Sequence, residues 1–276
     1  MNFLIENEQI IRVSVFIGLL VLLAVTEFLA PMANRQSSRP FQWFTNLSMV
    51  LLDNMTLKFL FPLLAAGAAK VSTENSFGLF NAISLNYWIE FWLSLLLLDF
   101  LIYTQHVMMH KIPMLWRLHR VHHTELGLDV SSAVRFHPIE ILISMLIKIA
   151  FVVLFGITVE AVIVFEILLN GLALFNHSNI RIPNTLENIL RKVIITPKIH
   201  WIHHSEIVHE TNSNYGFNLV FWDKLFKTYI DKPTLNYNDM QQGLREFGFT
   251  KPLNLIELLI SPFKNYPLKS KADKGS

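Results

Sequence analysis

Three clusters of histidines in this sequence have the residue type and the spacing of a metal site. An HxxxH pair stands at 106–110, an HxxHH group at 119–123 and a second HxxHH group at 200–204. On a helix of about 3.6 residues per turn, positions i, i+3 and i+4 lie on one face, so we expect each cluster to point its imidazoles in one direction. All eleven histidines lie between positions 106 and 209. The clustering predicts that they converge on a shared metal centre.

The ligand type limits the choice of metal. Neutral imidazole suits iron, zinc and copper, whereas magnesium and calcium prefer oxygen ligands. One zinc ion takes about four ligands, so a larger set predicts two ions, each with roughly four or five nitrogens and an open position. We favour two iron ions that react with O2, and zinc could replace them in a purified sample. The candidate ligands are His106, His110, His119, His122, His123, His177, His200, His203 and His204.

The roles of other polar residues near the clusters are less clearly indicated by the sequence. Asp99 precedes His106 by seven residues and shares its helix face. Its carboxylate could hold a ligand histidine in place by accepting the second ring N–H, or it could simply end a membrane span. Arg135 is expected at the cytoplasmic interface. His209 is expected to be an ordinary surface residue outside the ligand set.

The rest of the chain has the composition of a membrane protein. With 52% hydrophobic and 16% charged residues, it is too apolar for an ordinary soluble domain. The sequence contains no cysteine, which excludes disulfides, thiolate ligands and a cysteine nucleophile. The net charge of +2 is small, and the basic residues flank apolar segments. We therefore expect lipid headgroups, and not nucleic acid, as their partners.

Apolar stretches predict where the chain crosses the bilayer. Three of them are long enough for single membrane helices, and a fourth is long enough for a helical hairpin with Gly156 near its middle. Lys148, Glu160 and Glu166 interrupt the hairpin, so we expect it to be only partly inserted. The four stretches are residues 10–32, 47–69, 87–105 and 139–176.

Basic residues in short loops predict the orientation of these segments. If Arg35 and Arg39 are cytoplasmic, the third span ends in the cytoplasm at His106 and the hairpin returns the chain to that side. Every histidine then faces the cytoplasm, as a shared site requires. The predicted regions are N-terminal transmembrane helices at 1–105, a catalytic histidine-box region at 106–231 that includes the hairpin at 139–176, and a cytosolic or interfacial segment at 232–276.

The residues around the histidines resemble a known family. In order, they read LWRLHRVHH at 115–123, RFHPIE at 135–140, FNHSN at 175–179, TPKIHWIHHS at 196–205, SNYG at 213–216 and WDKLFKTY at 222–229. This order resembles the fatty acid hydroxylase and sterol desaturase superfamily of integral membrane polyhistidine di-iron enzymes, and most of all its bacterial sterol-desaturase-like members. Two positions depart from the usual pattern, since Val107 replaces an arginine and Lys227 replaces the glycine of an FGTY element.

The resemblance implies an all-α fold, a polytopic membrane helical bundle with a cytosolic helical cap that holds a histidine-rich dimetal site. It implies that the nine histidines are the ligands and that His137 is structural or helps to hold a ligand. Asn214, Tyr215 and Gly216 would shape the turn beside the last cluster, with Gly216 at a positive φ. The bacterial relatives imply an integral protein of the inner membrane.

The activity implied by the resemblance is O2-dependent hydroxylation or desaturation of a C–H bond in a lipid. The substrate would be a fatty acyl, alkyl-glycerol or sterol-like molecule that enters from the bilayer through an apolar tunnel. Electrons would come from a separate reductase, ferredoxin or cytochrome. Two alternatives remain: a divalent-metal membrane transporter, whose histidines would line a route through the membrane, and a non-catalytic scaffold that retains the fold.

Overall fold

The computed structural model of this chain describes residues 2–34, 38–61, 64–83, 85–249 and 251–266. Within these ranges the chain is helical and forms no β-strand, only three isolated bridges, which confirms the predicted all-α class. Two 3₁₀ turns lie at Val130–Val134 and Ser261–Phe263. The helices are α1 (Asn2–Glu6), α2 (Glu8–Leu29), α3 (Arg39–Leu60), α4 (Ala65–Glu74), α5 (Leu79–Ile83), α6 (Tyr87–Lys111), α7 (Pro113–His123), α8 (Pro138–Phe155), α9 (Val159–His177), α10 (Asn184–Leu190), α11 (Pro197–His203), α12 (Val208–Thr211), α13 (Phe221–Leu225) and α14 (Leu255–Ile260).

Five helical segments of the described chain are long and apolar enough to cross a membrane. Four of them, α2, α6, α8 and α9, coincide with the predicted stretches 10–32, 87–105 and, for the α8–α9 pair, 139–176. The remaining segment runs from Arg39 to Ile83 and is divided between α3, α4 and α5.

The predicted helix at 47–69 is wrong in its bounds. It begins earlier, at Arg39, because the polar side chains Gln42 and Asn46 in the first half of α3 are buried and have partners within the protein. Gln42 donates to the carbonyl of Gly127, and the Asn46 amide donates to Glu125. The helix ends at Leu60, and α4 starts at Ala65; Pro62 lies outside the described residues.

A tight turn at Gly156 joins α8 to α9, as the sequence predicts for the hairpin. Gly156 caps α8 in the left-handed region with a φ of +70°. A Cβ at this position would lie 2.6 Å from the Nδ2 atom of Asn81 and 2.9 Å from the carbonyl of Phe77. The turn therefore requires glycine twice, for its backbone angle and for its contact with the segment before α5.

The charged residues of the hairpin are buried against one another. Lys148 on α8 lies 2.7 Å from one oxygen of Glu166 on α9, and Arg12 on α2 lies 2.9 Å from the other. The three helices are thus joined by an ion-paired triad inside their membrane-spanning parts. The pairing explains how charged residues occur within α8 and α9, which are both long enough to span.

The histidine-bearing elements meet at one end of this bundle. The end of α6, the whole of α7, the end of α9 and α11 pack together there, and the start of α8 packs against α7. The C-terminal α14 covers α7, since Leu258 packs against Val121 and Met49. The Arg120 guanidinium fixes this contact by donating to the carbonyls of Ser261 and Lys264.

Substitution of Gly156 by alanine tests the hairpin turn. We expect Gly156→Ala to lower the free energy of unfolding by about 1–3 kcal/mol, the strain of a side chain in the left-handed region. The readout is thermal unfolding of the purified protein in detergent. Gly18→Ala is the matched control, because a Cβ at Gly18 meets no atom within 4 Å, and a helical alanine should be neutral or stabilising by up to about 1 kcal/mol. Equal unfolding temperatures for the two variants would contradict this account of the turn.

Candidate metal centre

The structure brings the nine predicted histidines together in two adjacent groups. The candidate ligand atoms within each group lie within 4.8 Å of one another. Eight of the nine residues are at most 3% exposed, and His110 is partly buried. The first group is His106, His110, His119, His123 and His203. The second group is His122, His177, His200 and His204.

Each HxxHH cluster divides its histidines between the two groups. On α7, positions i and i+4 (His119 and His123) serve the first group, whereas His122 at i+3 serves the second. On α11 the pattern is reversed, because His200 and His204 serve the second group and His203 serves the first. The expectation that a cluster points all its imidazoles one way is therefore wrong in detail. Each of the two helices therefore contributes one histidine to the group that the other helix mainly forms: His122 from α7 and His203 from α11.

The Nδ1 atom of five of these histidines is held by an oxygen. A backbone carbonyl oxygen only accepts, so the four rings that contact carbonyls donate an Nδ1–H and leave a bare lone pair on Nε2; Glu140 in its carboxylate form holds the His119 ring in the same way. The pairs are His106 with the carbonyl of Tyr215 (2.7 Å), His119 with the Glu140 carboxylate (2.7 Å), His122 with the carbonyl of Arg135 (3.2 Å), His177 with the carbonyl of Ala173 (2.7 Å) and His203 with the carbonyl of Ser213 (2.7 Å).

These bare Nε2 atoms then face each other at short range. The Nε2 atoms of His106 and His119 are 3.0 Å apart, and those of His122 and His177 are 2.9 Å apart. Neither nitrogen of a pair carries a proton, so the contact is not a hydrogen bond but a meeting of two lone pairs. A cation shared by both nitrogens removes the repulsion. This arrangement indicates a metal site.

The remaining contacts point the same way. The Nε2 atom of His200 lies 3.0 Å from that of His177 and 3.2 Å from that of His204. Nitrogens about 2.1 Å from one ion are about 3.0 Å apart at right angles and about 3.4 Å apart at the tetrahedral angle. The observed spacings of 2.9–3.2 Å are therefore short enough for neighbouring nitrogens to bind one ion.

Several buried ring nitrogens have no hydrogen-bond partner among the described residues. Both nitrogens of His110 and His123, together with the Nε2 atom of His203, are buried and unpaired. A buried polar atom without a partner is destabilising, and all three residues belong to the first group. A bound cation would satisfy one nitrogen of each ring, so the residues present fit a metal.

Burial keeps the imidazoles neutral and able to bind a cation. Removal from water lowers the pKa of His119 to about 3. It also lowers the pKa of His122, His123, His203 and His204 well below the ordinary value, and neighbouring histidines add to the effect. Protons do not compete with a metal for these nitrogens near neutral pH.

The carboxylate that holds a ligand histidine is Glu140, a residue the sequence reading did not single out. Asp99, the predicted candidate, instead accepts from the indole N–H of Trp222 at 2.8 Å and has no hydrogen bond to a histidine among the described residues. The sequence feature that could have identified Glu140 is the RFHPIE motif, which places an acidic side chain in the first turn of an apolar helix. Glu140 therefore takes the role expected of Asp99.

His137 is a helix cap and not a neighbour of the ligand rings. Its Nδ1 accepts from the backbone N–H of Ile139 at the start of α8, and its Nε2 donates to the carbonyl of Leu259. Arg135 is 1% exposed and donates to Asn46 and Thr124, so its guanidinium is bound within the protein and does not face lipid headgroups. His209 is exposed and belongs to neither histidine group, as predicted.

The SNYG turn presents two carbonyls to the histidines. Those of Ser213 and Tyr215 accept from His203 and His106. Asp223 fixes the turn by accepting from the backbone N–H groups of Tyr215 and Gly216, at 2.8 Å each. The sequence reading did not assign this role to the aspartate of the WDKLFKTY motif.

The residue with a positive φ in this turn is Asn214, at +49°, and not Gly216 as predicted. Gly216 is needed for space, because a Cβ there would lie 2.8 Å from the carbonyl of Leu219. Lys227, which replaces a glycine of the family pattern, also has a positive φ, of +60°. Glycine suits that position because it adopts this backbone conformation without strain.

A cavity of about 270 Å³ lies beside the first histidine group and extends between the membrane-spanning helices. His106 and His119 line its histidine end, and α3, α6, α8 and α9 form most of its walls. The cavity walls are mostly apolar, as predicted for a tunnel to the histidines, but they also include Arg12, Asp53 and the Lys148–Glu166 pair. The cavity nevertheless connects the spans to the histidines.

Comparison with known proteins identifies a family model and several enzymes that match the histidine-bearing region. The sequence model of the fatty acid hydroxylase family matches residues 91–228, which contain all nine histidines. An ornithine lipid hydroxylase of Rhizobium tropici is 26% identical over 237 residues, which are 82% of this chain and 69% of that protein. No solved structure matches the chain.

Alkylglycerol monooxygenases are also similar. That of Xenopus tropicalis is 27% identical over 172 residues, 60% of this chain and 34% of that protein. The human protein is 25% identical over 162 residues, 58% of this chain and 33% of that protein. The matched region therefore spans about a third of the length of each of these two relatives.

Alanine substitution in each group tests the ligand assignment. We expect His122→Ala and His203→Ala each to weaken metal binding by more than about tenfold, because removing a ligand should exceed the loss caused by removing a residue that only supports one. Metal content after purification with added iron is measured by mass spectrometry, and gel filtration checks folding. His209→Ala should keep the wild-type metal content because its side chain is exposed. Unchanged iron in both group variants would refute the assignment.

Proposed function

Because the chain belongs to the fatty acid hydroxylase family, we propose that it is a di-iron membrane oxidase that uses O2 to hydroxylate or desaturate a lipid. The observation that carries the proposal is the pair of buried histidine groups, with bare Nε2 atoms 2.9–3.0 Å apart, next to a cavity between membrane spans. The comparisons confirm the predicted superfamily and the oxidoreductase class.

The proposed cofactor is one iron ion in each histidine group. The first group supplies five nitrogens and the second four, which matches the ligand number expected for two ions with open positions. Imidazole nitrogens suit iron, and O2 chemistry requires a redox-active metal. Bound iron would supply the electron transfer to O2 that the protein side chains cannot perform.

The proposed reaction balances as a two-electron oxidation of the lipid. In hydroxylation, a C–H bond breaks and a C–O bond forms: the lipid, O2, two electrons and two protons give an alcohol and one water. In desaturation, two C–H bonds break and an alkene forms with two waters. A separate reductase, ferredoxin or cytochrome would supply the two electrons.

The protein side chains would bind the lipid, keep the histidines oriented and exclude bulk water. Glu140 and the four backbone carbonyls hold the rings, so their Nε2 atoms stay pointed inward. The nearly complete burial of the histidines separates the site from solvent. The cavity supports direct entry of a lipid from the bilayer, since its walls are membrane-spanning helices.

The similarity to known enzymes supports lipids with a polar head group as substrates. The relatives named above are a hydroxylase of ornithine lipids and monooxygenases of alkylglycerols. The compact grouping of histidines at one end of the bundle is unfavourable for a transporter, whose ligands would follow a route through the membrane.

The proposed location is the bacterial inner membrane with the histidines facing the cytoplasm. The turns at the opposite end of the bundle, residues 75–83 and 156–158, contain no lysine or arginine. The histidine end carries many basic residues, among them Arg117, Arg120 and Arg191. This asymmetry favours a cytoplasmic histidine end.

Isotope labelling tests the proposed oxidase. Purified protein loaded with iron and supplied with a chemical reductant should consume O2 only when a lipid is present. With ¹⁸O2, hydroxylation adds one labelled oxygen to the product, and desaturation removes two hydrogens without label. The His203→Ala protein is the control and should consume no O2. Wild-type protein with full iron content that neither consumes O2 nor changes any lipid of an extract would support the scaffold alternative.

Cysteine labelling tests the orientation. The sequence contains no cysteine, so Asp239→Cys marks the histidine end and Asn75→Cys marks the opposite end; both positions are exposed. A membrane-impermeant maleimide should label Asn75→Cys on intact bacterial spheroplasts and Asp239→Cys only after the membrane is opened. The reverse pattern would place the histidines outside the cytoplasm.

A further inference from the structure

A line of aromatic rings leads away from the first histidine group. The ring centroid of Tyr215 lies 5.1 Å from that of His110, 5.6 Å from that of His106 and 5.8 Å from that of His203. The same ring meets Tyr103 of α6 edge to face at 6.5 Å. The carbonyl of Tyr215 also accepts the Nδ1–H of His106 at 2.7 Å. Tyr215 therefore contacts three candidate ligands and a second phenol.

The line ends at the outside of the protein. Tyr103 is 5% exposed and stacks on Phe226, with the ring centroids 5.6 Å apart and the ring planes at 17°. Phe226 follows α13 and is 50% exposed. One phenyl ring thus separates Tyr103 from the surroundings, and one phenol separates it from the histidines. Tyrosine is among the side chains that lose an electron most readily, so this position suits electron transfer.

The hydroxyl of Tyr103 has a directed path for its proton. It lies 3.0 Å from the Oγ1 atom of Thr228, which lies 2.6 Å from the Oδ1 atom of Asp223. A carboxylate only accepts, and a threonine hydroxyl has one hydrogen. Thr228 therefore donates to Asp223 and accepts from Tyr103. Two hydrogen bonds in the same direction connect the phenol to a carboxylate.

Asp223 is suited to receive that proton. It is fully buried and accepts from the backbone N–H groups of Tyr215 and Gly216 as well as from Thr228. These three donors support the ionised form, but burial outweighs them and raises the pKa of the Asp223 carboxyl above its ordinary value. The carboxylate therefore has both the position and the proton affinity of an acceptor.

This path distinguishes Tyr103 from Tyr215. A phenol that loses an electron becomes a strong acid, so its oxidation is easy only where the proton can leave at the same time. The hydroxyl of Tyr215 is buried and has no hydrogen-bond partner among the described residues. Tyr215 can pass an electron through its ring but has no acceptor for its proton. Of the two phenols, Tyr103 is therefore the one that can hold a radical.

We propose that Tyr103 is a redox-active residue that gives an electron through Tyr215 to the first histidine group and its proton through Thr228 to Asp223. The inference rests on the proposed oxidase function and adds an internal reductant to it. O2 is the final oxidant. Tyr103 becomes a neutral phenoxyl radical, the Asp223 carboxylate becomes a carboxylic acid, and the electron is consumed in reducing O2 at the histidine centre. An electron from the external donor, received at Phe226, reverses the change as the proton returns.

The route protects the site when oxidation of the lipid is delayed. The histidines are buried close together, so an oxidant formed there without a reactive C–H bond beside it would attack the imidazoles. Tyr103 removes that oxidant one electron at a time and moves the oxidising equivalent toward the surface. With a reactive lipid in place, oxidation of the C–H bond is faster, and Tyr103 stays reduced.

Flash photolysis tests the redox role without any oxidase activity. A ruthenium photosensitiser is attached through Leu225→Cys, an exposed position next to Phe226, in a Tyr229→Phe background that removes the tyrosine beside Lys224. The protein is loaded with zinc, which binds nitrogen ligands and has no redox chemistry. A flash in the presence of an oxidative quencher should produce the absorption and EPR signals of a tyrosyl radical.

Four variants of the labelled protein assign the radical and its proton path. Tyr103→Phe should abolish the signal. Thr228→Val should slow its formation by about tenfold or more, the rate effect of one lost hydrogen bond, and Thr228→Ser should restore the rate because it keeps the hydroxyl. Tyr87→Phe, about 24 Å away along α6, is the matched control and should leave the signal unchanged. Unfolding temperatures check each variant, and slower radical formation in D2O tests the proton transfer even if Thr228→Val does not fold.

Iron-loaded protein tests the link to the histidines. Reduced protein is mixed with O2 and a lipid extract, frozen and measured by EPR. An extract from cells grown in deuterated medium should give more tyrosyl radical than an ordinary one, because C–D bonds break more slowly than C–H bonds. At equal iron content, Tyr215→Leu should lose this O2-dependent radical and keep the flash-induced one.

Five outcomes would overturn the proposal. The flash could give no tyrosyl radical, the signal could persist in Tyr103→Phe, Thr228→Val could react as fast as the wild type, or Tyr215→Leu could form as much O2-dependent radical as the wild type. A tryptophan radical in place of the tyrosyl signal would assign the role to Trp222, which packs in the same cluster. The proposed oxidase fails separately, if iron-loaded protein consumes no O2 with any lipid although the flash oxidises Tyr103.

Discussion

The histidine end of this protein brings ring nitrogens without protons so close together that a bound cation would relieve their repulsion. Rings whose Nδ1–H groups are already donated to oxygens bring their Nε2 lone pairs to within 2.9–3.0 Å of each other. These rings are carried by four different helices, α6, α7, α9 and α11. A metal bound there would contribute its binding free energy to the folding of this part of the chain. The apolar spans set where the helices lie, and the histidines bring their ends together.

The orientation of the rings comes mainly from the backbone. Four of the five oxygens that hold an Nδ1–H are main-chain carbonyls, two of them from the SNYG turn. A carbonyl cannot rotate away as a side chain can, so the turn must itself be rigid. Asn214 and Asp223 provide that rigidity, since the Asn214 amide donates to two carbonyls and Asp223 accepts from two backbone N–H groups. Two residues outside the histidine groups thus keep two of the rings in place.

The sequence predicted the membership of the site better than its internal arrangement. Helical periodicity and residue type suffice to identify HxxxH and HxxHH as ligand clusters, because both are local properties. His122 and His203 each belong to the group formed mainly by the other helix because α7 and α11 face each other. No local sequence pattern predicts that packing. The same limit explains Asp99 and Glu140. Both are acidic residues on helices near the histidines, and only the packing of α8 on α7 determines which one reaches a ring.

Membrane spans were predictable where they are uniformly apolar, and less so where they carry function. The first half of α3 lies outside the predicted stretch because Gln42 and Asn46 are polar, yet they are buried and paired with residues from 125 to 135. Hydropathy records only the transfer of a residue to lipid and not its pairing within the protein.

The charged residues of α8 and α9 are likewise paired within the protein, which hydropathy does not record. Arg12, Lys148 and Glu166 neutralise most of their charge within the bundle, so three spans can carry ionised groups without exposing them to hydrocarbon. A bundle that needed only to anchor the histidines would be more stable with apolar residues at these positions. Their presence beside the cavity therefore argues for a role in what enters the cavity, and not in holding the helices together.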